Sequence, residues 1–161
     1  MLTPVEVCSM QGYSLSNLAD GAIERGLTTF DAQNKSSLAA LLAHLAEFEV
    51  RRLFRPTECP SLRLYCTRRL HWSEQAAFKR IRAARLARRF PALFPAVADG
   101  RLHLSAVLLL GPHLCPGNAD ELLAAAAYKS KAEIELLLAE RFPREDVPTQ
   151  LEPVGTADSA P

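Results

Sequence analysis

The sequence predicts an all-α fold, an irregular bundle of seven or eight short-to-medium helices. Alanine and leucine dominate the 161 residues whereas valine, isoleucine and threonine are sparse, a bias that favours helices over strands. Apolar residues recur at helical spacing and no segment alternates with the period of a strand. We expect one helical domain over residues 14–143, a flexible lead at 1–13 and a disordered tail at 144–161.

Two helices are predicted in the first third of the chain. Ser14 is placed to cap a short helix that ends near Gly26. Asp31 or Ser36 then opens a longer helix. Its apolar residues lie three or four positions apart and build one stripe: Leu38, Leu41, Leu42, Leu45 and Phe48.

A connector with two prolines precedes the next pair of helices. Ser61 is placed to cap a short helix that runs to about Leu70. Ser73 is placed to cap a longer one over residues 74–89, which has an acid in its first turn. The two helices and the short turn between them resemble a helix-turn-helix in outline, although the turn lacks glycine.

Four shorter helices are predicted after residue 90. Each begins at a residue that suits a helix start: Pro91, Ser105, Asn118 and Ser130. Ser130 and Glu133 have the S-x-x-E spacing of a capping box.

The charges are segregated along the chain although the net charge is only +1. Residues 51–89, called the basic block below, hold twelve basic and two acidic residues, a net of +10. The segments before and after this block are net acidic, −4 and −5. Such a block is typical of a phosphate-binding surface, and it is equally compatible with a basic helix pair that is neutralised by its own acidic flanks.

The helix predicted at residues 74–89 has three distinct faces at about 100° per residue. The first is expected to face the core: Ala77, Phe78, Ile81 and Ala84. The second consists of small residues that let another helix approach closely: Ala76, Ala83 and Ala87. The third is polar and cationic, and with two arginines of the preceding helix it forms the candidate nucleic-acid-binding set: Gln75, Lys79, Arg82, Arg89, Arg68 and Arg69.

Six segments in order resemble the helical N-terminal region of a group of bacterial HNH endonucleases. They include LAHLAEFEVRRL at 42–53, SLRLYC at 61–66, SEQAAFKRIRAARLARRFP at 73–91 and GRLHLS at 100–105, and the resemblance spans residues 36–148. In that family the catalytic HNH motif lies downstream of these segments. The resemblance therefore implies a module that positions or controls a nuclease on DNA, without nuclease activity of its own.

No catalytic, metal or cofactor site is predicted. Cys59, Cys66 and His71 match no common zinc spacing, and His113 and Cys115 lie too close in sequence for a nucleophile pair with an orienting group. Cys66 is expected to pack as a small hydrophobe.

The sequence therefore favours a DNA-binding or DNA-positioning helical module that is not an enzyme. The alternative is a protein-interaction or dimerisation module with an internally neutralised basic helix. The expected partners are nucleic acid, DNA in preference to RNA, with a nuclease domain or a second copy of the chain as further candidates. No apolar run approaches a membrane span. The N-terminal residues show no basic region followed by a long apolar stretch, so we expect no signal peptide. We expect a cytoplasmic protein with reduced thiols.

Overall fold

The computed structural model describes residues 15–143, and within them the chain forms seven α-helices and no strand. The helices are α1 (Asp20–Val50), α2 (Leu62–Arg68), α3 (Glu74–Arg89), α4 (Leu93–Ala98), α5 (Leu104–Leu110), α6 (Ala119–Ala126) and α7 (Lys131–Arg141). Single turns of 3₁₀ helix follow α1 at Arg55–Thr57 and α5 at Gly111–His113. The predicted all-α bundle is confirmed, and the predicted lead and tail, together with the cap at Ser14, lie outside the described residues.

The first two predicted helices are one helix. α1 runs for 31 residues without a break at Gly26, so the prediction of a helix end there was wrong. A glycine inside a helix costs only about 1 kcal/mol relative to alanine, and no proline stands between Gly26 and the buried part of α1. The C-terminal half of α1 carries the predicted stripe, in which Leu42 and Leu45 are buried.

α3 is the centre of the bundle and packs against α1, α2, α4 and α5. Its buried residues are almost all small, and they allow these close approaches as predicted: Ala77, Ile81, Ala83, Ala84 and Ala87. The remaining helices pack around α5, which contacts both α6 and α7. This arrangement fixes α3 on one side and leaves its other side to solvent.

Most helices contribute at least one large side chain to the core. Its largest fully buried side chains are Leu42, Leu93, Leu102, Leu110, Leu122 and Ile134. Each such side chain stabilises the fold by about 1.5–3 kcal/mol relative to an exposed position. Among the helices of residues 15–143, none is both long enough and apolar enough to cross a bilayer.

Three of the predicted caps are present as hydrogen bonds. The hydroxyl of Ser61 accepts from the Leu64 amide and that of Ser73 accepts from the Ala76 amide, both at 3.2 Å. Ser130 and Glu133 form a complete capping box at the start of α7.

Two predicted caps, at Ser105 and Asn118, do not form a hydrogen bond to their helix. α5 begins before Ser105, because the His103 ring nitrogen Nδ1 accepts from the Ala106 amide at 3.0 Å and caps the helix. Asn118 occupies the N-cap position of α6 as predicted, but its side chain makes no cap hydrogen bond to the helix. Its side chain instead closes the preceding loop, accepting from the Cys115 amide and donating to the His113 carbonyl.

Candidate nucleic-acid interface

The solvent side of α3 carries the cationic row that the sequence predicts. Gln75, Lys79, Arg82 and Arg89 are all exposed. Within the described part of the chain, Lys79, Arg82 and Arg89 form no ion pair. The Arg89 guanidinium lies 5.2 Å from the centroid of the Phe90 ring. These cations are therefore available to an external anion.

Leu86 divides this row. Leu86 lies between Arg82 and Arg89 in the sequence and is half-buried. Its side chain packs so closely against Gly111 that a Cβ atom added to this glycine would lie only 2.6 Å from Leu86 Cδ1. The end of α5 thus approaches α3 at this point. Lys79 and Arg82 lie on one side of the contact and Arg89 on the other.

The two arginines predicted from α2 stand apart from this row. Arg68 is the last residue of α2 and Arg69 is its C-cap, and both are exposed. The turn that follows contains His71 in the left-handed backbone region, at φ 54°, a conformation that histidine adopts more readily than most residues. The turn between α2 and α3 therefore forms without the glycine that its sequence lacks.

Phe78 lies on the solvent side of α3, and its predicted place in the core was wrong. The side chain is 52% exposed. At about 100° per residue, Phe78 is about 100° from Ala77 but only about 40° from Arg82. This angular position was the signal that could have found it, since Phe78, Arg82, Arg85 and Arg89 follow one stripe at i, i+4, i+7 and i+11.

Phe78 forms one wall of an open groove between α3, the end of α1 and the start of α2. This groove, called the Phe78 groove below, has a volume of about 500 Å³. The residues that line it include Glu49, Phe54, Arg63, Phe78, Arg82 and Arg85. A smaller groove of about 240 Å³ lies on the other side of Phe78, lined by Arg63, Glu74, Gln75 and Phe78. The α2 cation that reaches this region is therefore Arg63, which the sequence did not single out, and neither Arg68 nor Arg69 lines either groove.

Part of the basic block is neutralised by carboxylates. Three of its twelve cations form ion pairs within residues 15–143: Arg51 with Glu47, Arg63 with Glu74, and Arg85 with Glu49. Only the first and last of these use the acidic flank, and both carboxylates come from α1. The hydrogen bonds that Arg85 donates to the Glu49 carboxylate raise the pKa of Arg85, and burial opposes this effect.

The indole of Trp72 anchors the α2–α3 turn. Trp72 packs against the core, and its amide donates to the Cys66 carbonyl at 3.1 Å. The Arg80 guanidinium lies over the ring, 4.5 Å from its centroid. Arg80 is thus engaged on the inner side of α3, away from the exposed row.

The cysteines and histidines do not assemble into a metal centre in the described residues. No group of three or more metal-binding side chains occurs there, and Cys59, Cys66 and Cys115 are free thiols. Burial raises the pKa of the Cys66 thiol, and the nearby Arg80 partly offsets this effect. The His113 ring stacks on Phe142, with centroids 4.7 Å apart, which gives it a packing role.

The geometry of α3 thus combines a buried alanine-rich side with an exposed side that holds cations and one aromatic ring. An exposed row of this kind suits a polyanion, because its charges are held on a rigid element. Comparison with protein-family models, with curated proteins and with solved structures finds nothing that matches this chain.

Proposed function

We propose that this chain is a DNA-binding or DNA-positioning helical module that acts in the bacterial cytoplasm and is not catalytic on its own. The observation that carries the proposal is the row of exposed cations on α3, Lys79, Arg82 and Arg89, which form no ion pair within residues 15–143. An exposed cation that faces no carboxylate contributes fully to phosphate binding, whereas a paired one must first give up its partner.

Rigidity supports the same proposal. The opposite side of α3 is buried against four other helices, so the cations are presented from a fixed element. Their positions are set before a ligand arrives, which lowers the entropy lost on binding. The resemblance to the region that precedes the HNH motif agrees with such a role, and a nuclease domain is the partner that it implies.

Fluorescence anisotropy with a labelled duplex of about 30 base pairs tests the proposal. The variant Lys79→Ala, Arg82→Ala, Arg89→Ala is expected to lose at least about tenfold in affinity. A control that removes the same charge elsewhere is Arg25→Ala, Lys129→Ala, Lys131→Ala, and it is expected to stay within about twofold of the wild type. Equal losses in the two variants would show a dependence on net charge alone and would contradict a specific role for α3.

A second candidate is self-association, and the first half of α1 favours it. No side chain between Asp20 and Lys35 is buried, and Leu27 and Phe30 are 70% and 56% exposed. A helix segment of this length is marginal in water without packing, so burial of this face against a second copy would stabilise it.

Light scattering across a concentration series distinguishes this candidate. Self-association through α1 predicts a molar mass that rises with concentration and is restored to the monomer value by Leu27→Gln with Phe30→Gln. Leu136→Gln removes a comparably exposed leucine from α7 and should leave the mass unchanged. A monomer at all concentrations would exclude the second candidate and leave the first unaffected.

A further inference from the structure

We infer that the Phe78 groove holds an unstacked nucleobase, so that the chain binds single-stranded DNA more tightly than closed duplex of the same length. This inference rests on the proposed DNA-binding function and names the form of DNA that it uses. The ring of Phe78 is about half exposed and lies on an otherwise cationic surface. It therefore offers an apolar surface to a ligand.

The surroundings of Phe78 match the two parts of a nucleotide. Arg63, Arg82 and Arg85 line the groove beside the ring, and Glu49 is its one acidic wall. Arg85 is paired with that carboxylate and Arg63 with Glu74, whereas Arg82 forms no ion pair within residues 15–143, so its charge is available to a phosphate. A base can stack on the ring while a neighbouring phosphate contacts the Arg82 guanidinium, the combination by which proteins hold single strands.

Phe78 also separates two grooves. The smaller groove on its other side is lined by Gln75 and by the Arg63–Glu74 ion pair, and the Gln75 carboxamide can both donate to and accept from the edge of a base. A strand that crosses Phe78 would therefore meet polar groups before and after the stacked base. A base inside closed duplex cannot reach the ring, because both of its faces are already stacked.

Electrostatics alone predicts the opposite preference. Duplex DNA has a higher charge density than a single strand and releases more counterions for each contact. A tighter complex with the single strand therefore requires a contribution besides charge, and stacking on Phe78 is the one that this surface offers. A higher affinity for the single strand than for the duplex would therefore indicate binding in the Phe78 groove. Affinity for the duplex would indicate binding to the cationic row.

The test compares an oligothymidine of about 20 nucleotides with a duplex of equal length, using the wild type and Phe78 variants. Phe78→Ala should lose about tenfold or more in affinity for the single strand and stay within about twofold for the duplex. Because the ring is half-exposed, its removal should leave the fold intact, and a thermal melt of each variant checks this.

Phe78→Trp is the conservative variant and should retain the affinity for the single strand. The wild type has one tryptophan, Trp72, which lies under Arg80, so fluorescence quenching in excess of the wild type reports stacking at position 78. Equal affinity of the wild type for both DNA forms, or an unchanged affinity in Phe78→Ala, overturns the inference while duplex binding stands. Absence of binding to either DNA form overturns the proposed function together with the inference.

Discussion

Glu49 on α1 holds Arg85 on α3 through a forked contact. Arg85 Nη2 lies 2.5 Å from Glu49 Oε1, and Arg85 Nε lies 3.1 and 3.0 Å from the two carboxylate oxygens. The contact ties two neighbouring helices at the edge of the Phe78 groove. Arg85 therefore differs from Lys79 and Arg82, which form no ion pair within residues 15–143.

Glu49→Gln is expected to strengthen DNA binding. The substitution removes the acidic wall of the groove and releases Arg85, so affinity should rise by about two- to fivefold at low salt. The unfolding free energy should fall by at most about 1 kcal/mol, because Arg85 is largely exposed. Glu135→Gln, which breaks an ion pair with Lys131 on α7, is the control for anisotropy titrations. An affinity that rises equally in both variants would assign the effect to net charge.

His103→Ala is expected to lower the free energy of unfolding by about 1 kcal/mol, because the amide of Ala106 loses its acceptor. His103→Asn keeps a side-chain acceptor and should remain close to the wild type. Ser105→Ala is the matched control, since Ser105 is the cap that the sequence predicted and the structure does not use. Urea unfolding of the three variants measures these free energies. A larger loss of unfolding free energy in Ser105→Ala than in His103→Ala would contradict the cap by His103.

Native-state alkylation is expected to distinguish the thiols. The thiolate is the reactive form, and burial raises the pKa of Cys66, which is fully buried. N-ethylmaleimide followed by peptide mass mapping should therefore modify the exposed Cys115 and leave Cys66 unmodified until denaturant is added. Equal labelling rates for Cys66 and Cys115 in the native protein would contradict the packing of α2 on α3.

The capping box of α7 is expected to make stability depend on pH in the acid range. Hydrogen bonds from Ser130 lower the pKa of Glu133 below its ordinary value of 4.5. A carboxyl whose pKa is lower in the folded state stabilises the fold above its unfolded pKa, and this contribution is lost as the pH falls through the folded value. Thermal melts from neutral pH downward should show a steeper decline below 4.5 in the wild type than in Glu133→Gln. Parallel curves would mean that the box does not form in solution.

Local signals in the sequence predicted the starts of α2, α3, α6 and α7 correctly. The hydroxyls of Ser61, Ser73 and Ser130 bond to amides within the same turn, so a few neighbouring residues contain all the information that such a cap requires. The prediction failed for α5 because His103 is an uncommon cap. It failed for α1 because a lone glycine is a weak helix stop.

Features that depend on tertiary packing could not be predicted in the same way. Glu49 and Arg85 are 36 residues apart in sequence, and nothing local selects Arg85 from its neighbours on α3 as the paired cation. The exposed cations Lys79 and Arg82 were predicted because helical periodicity alone places them opposite the alanines. Phe78 was assigned to the core from its hydrophobicity, whereas its angular position among the arginines determines where it lies.

The salt dependence of duplex binding tests the central claim most directly. With three to five cations of the basic block on phosphates, the logarithm of the association constant should fall against the logarithm of salt concentration with a slope of about −3 to −5. The variant with alanine at positions 79, 82 and 89 should show a slope that is shallower by about 3. A wild-type slope near zero, or no binding at about 50 mM salt, would contradict a phosphate-contacting role for α3.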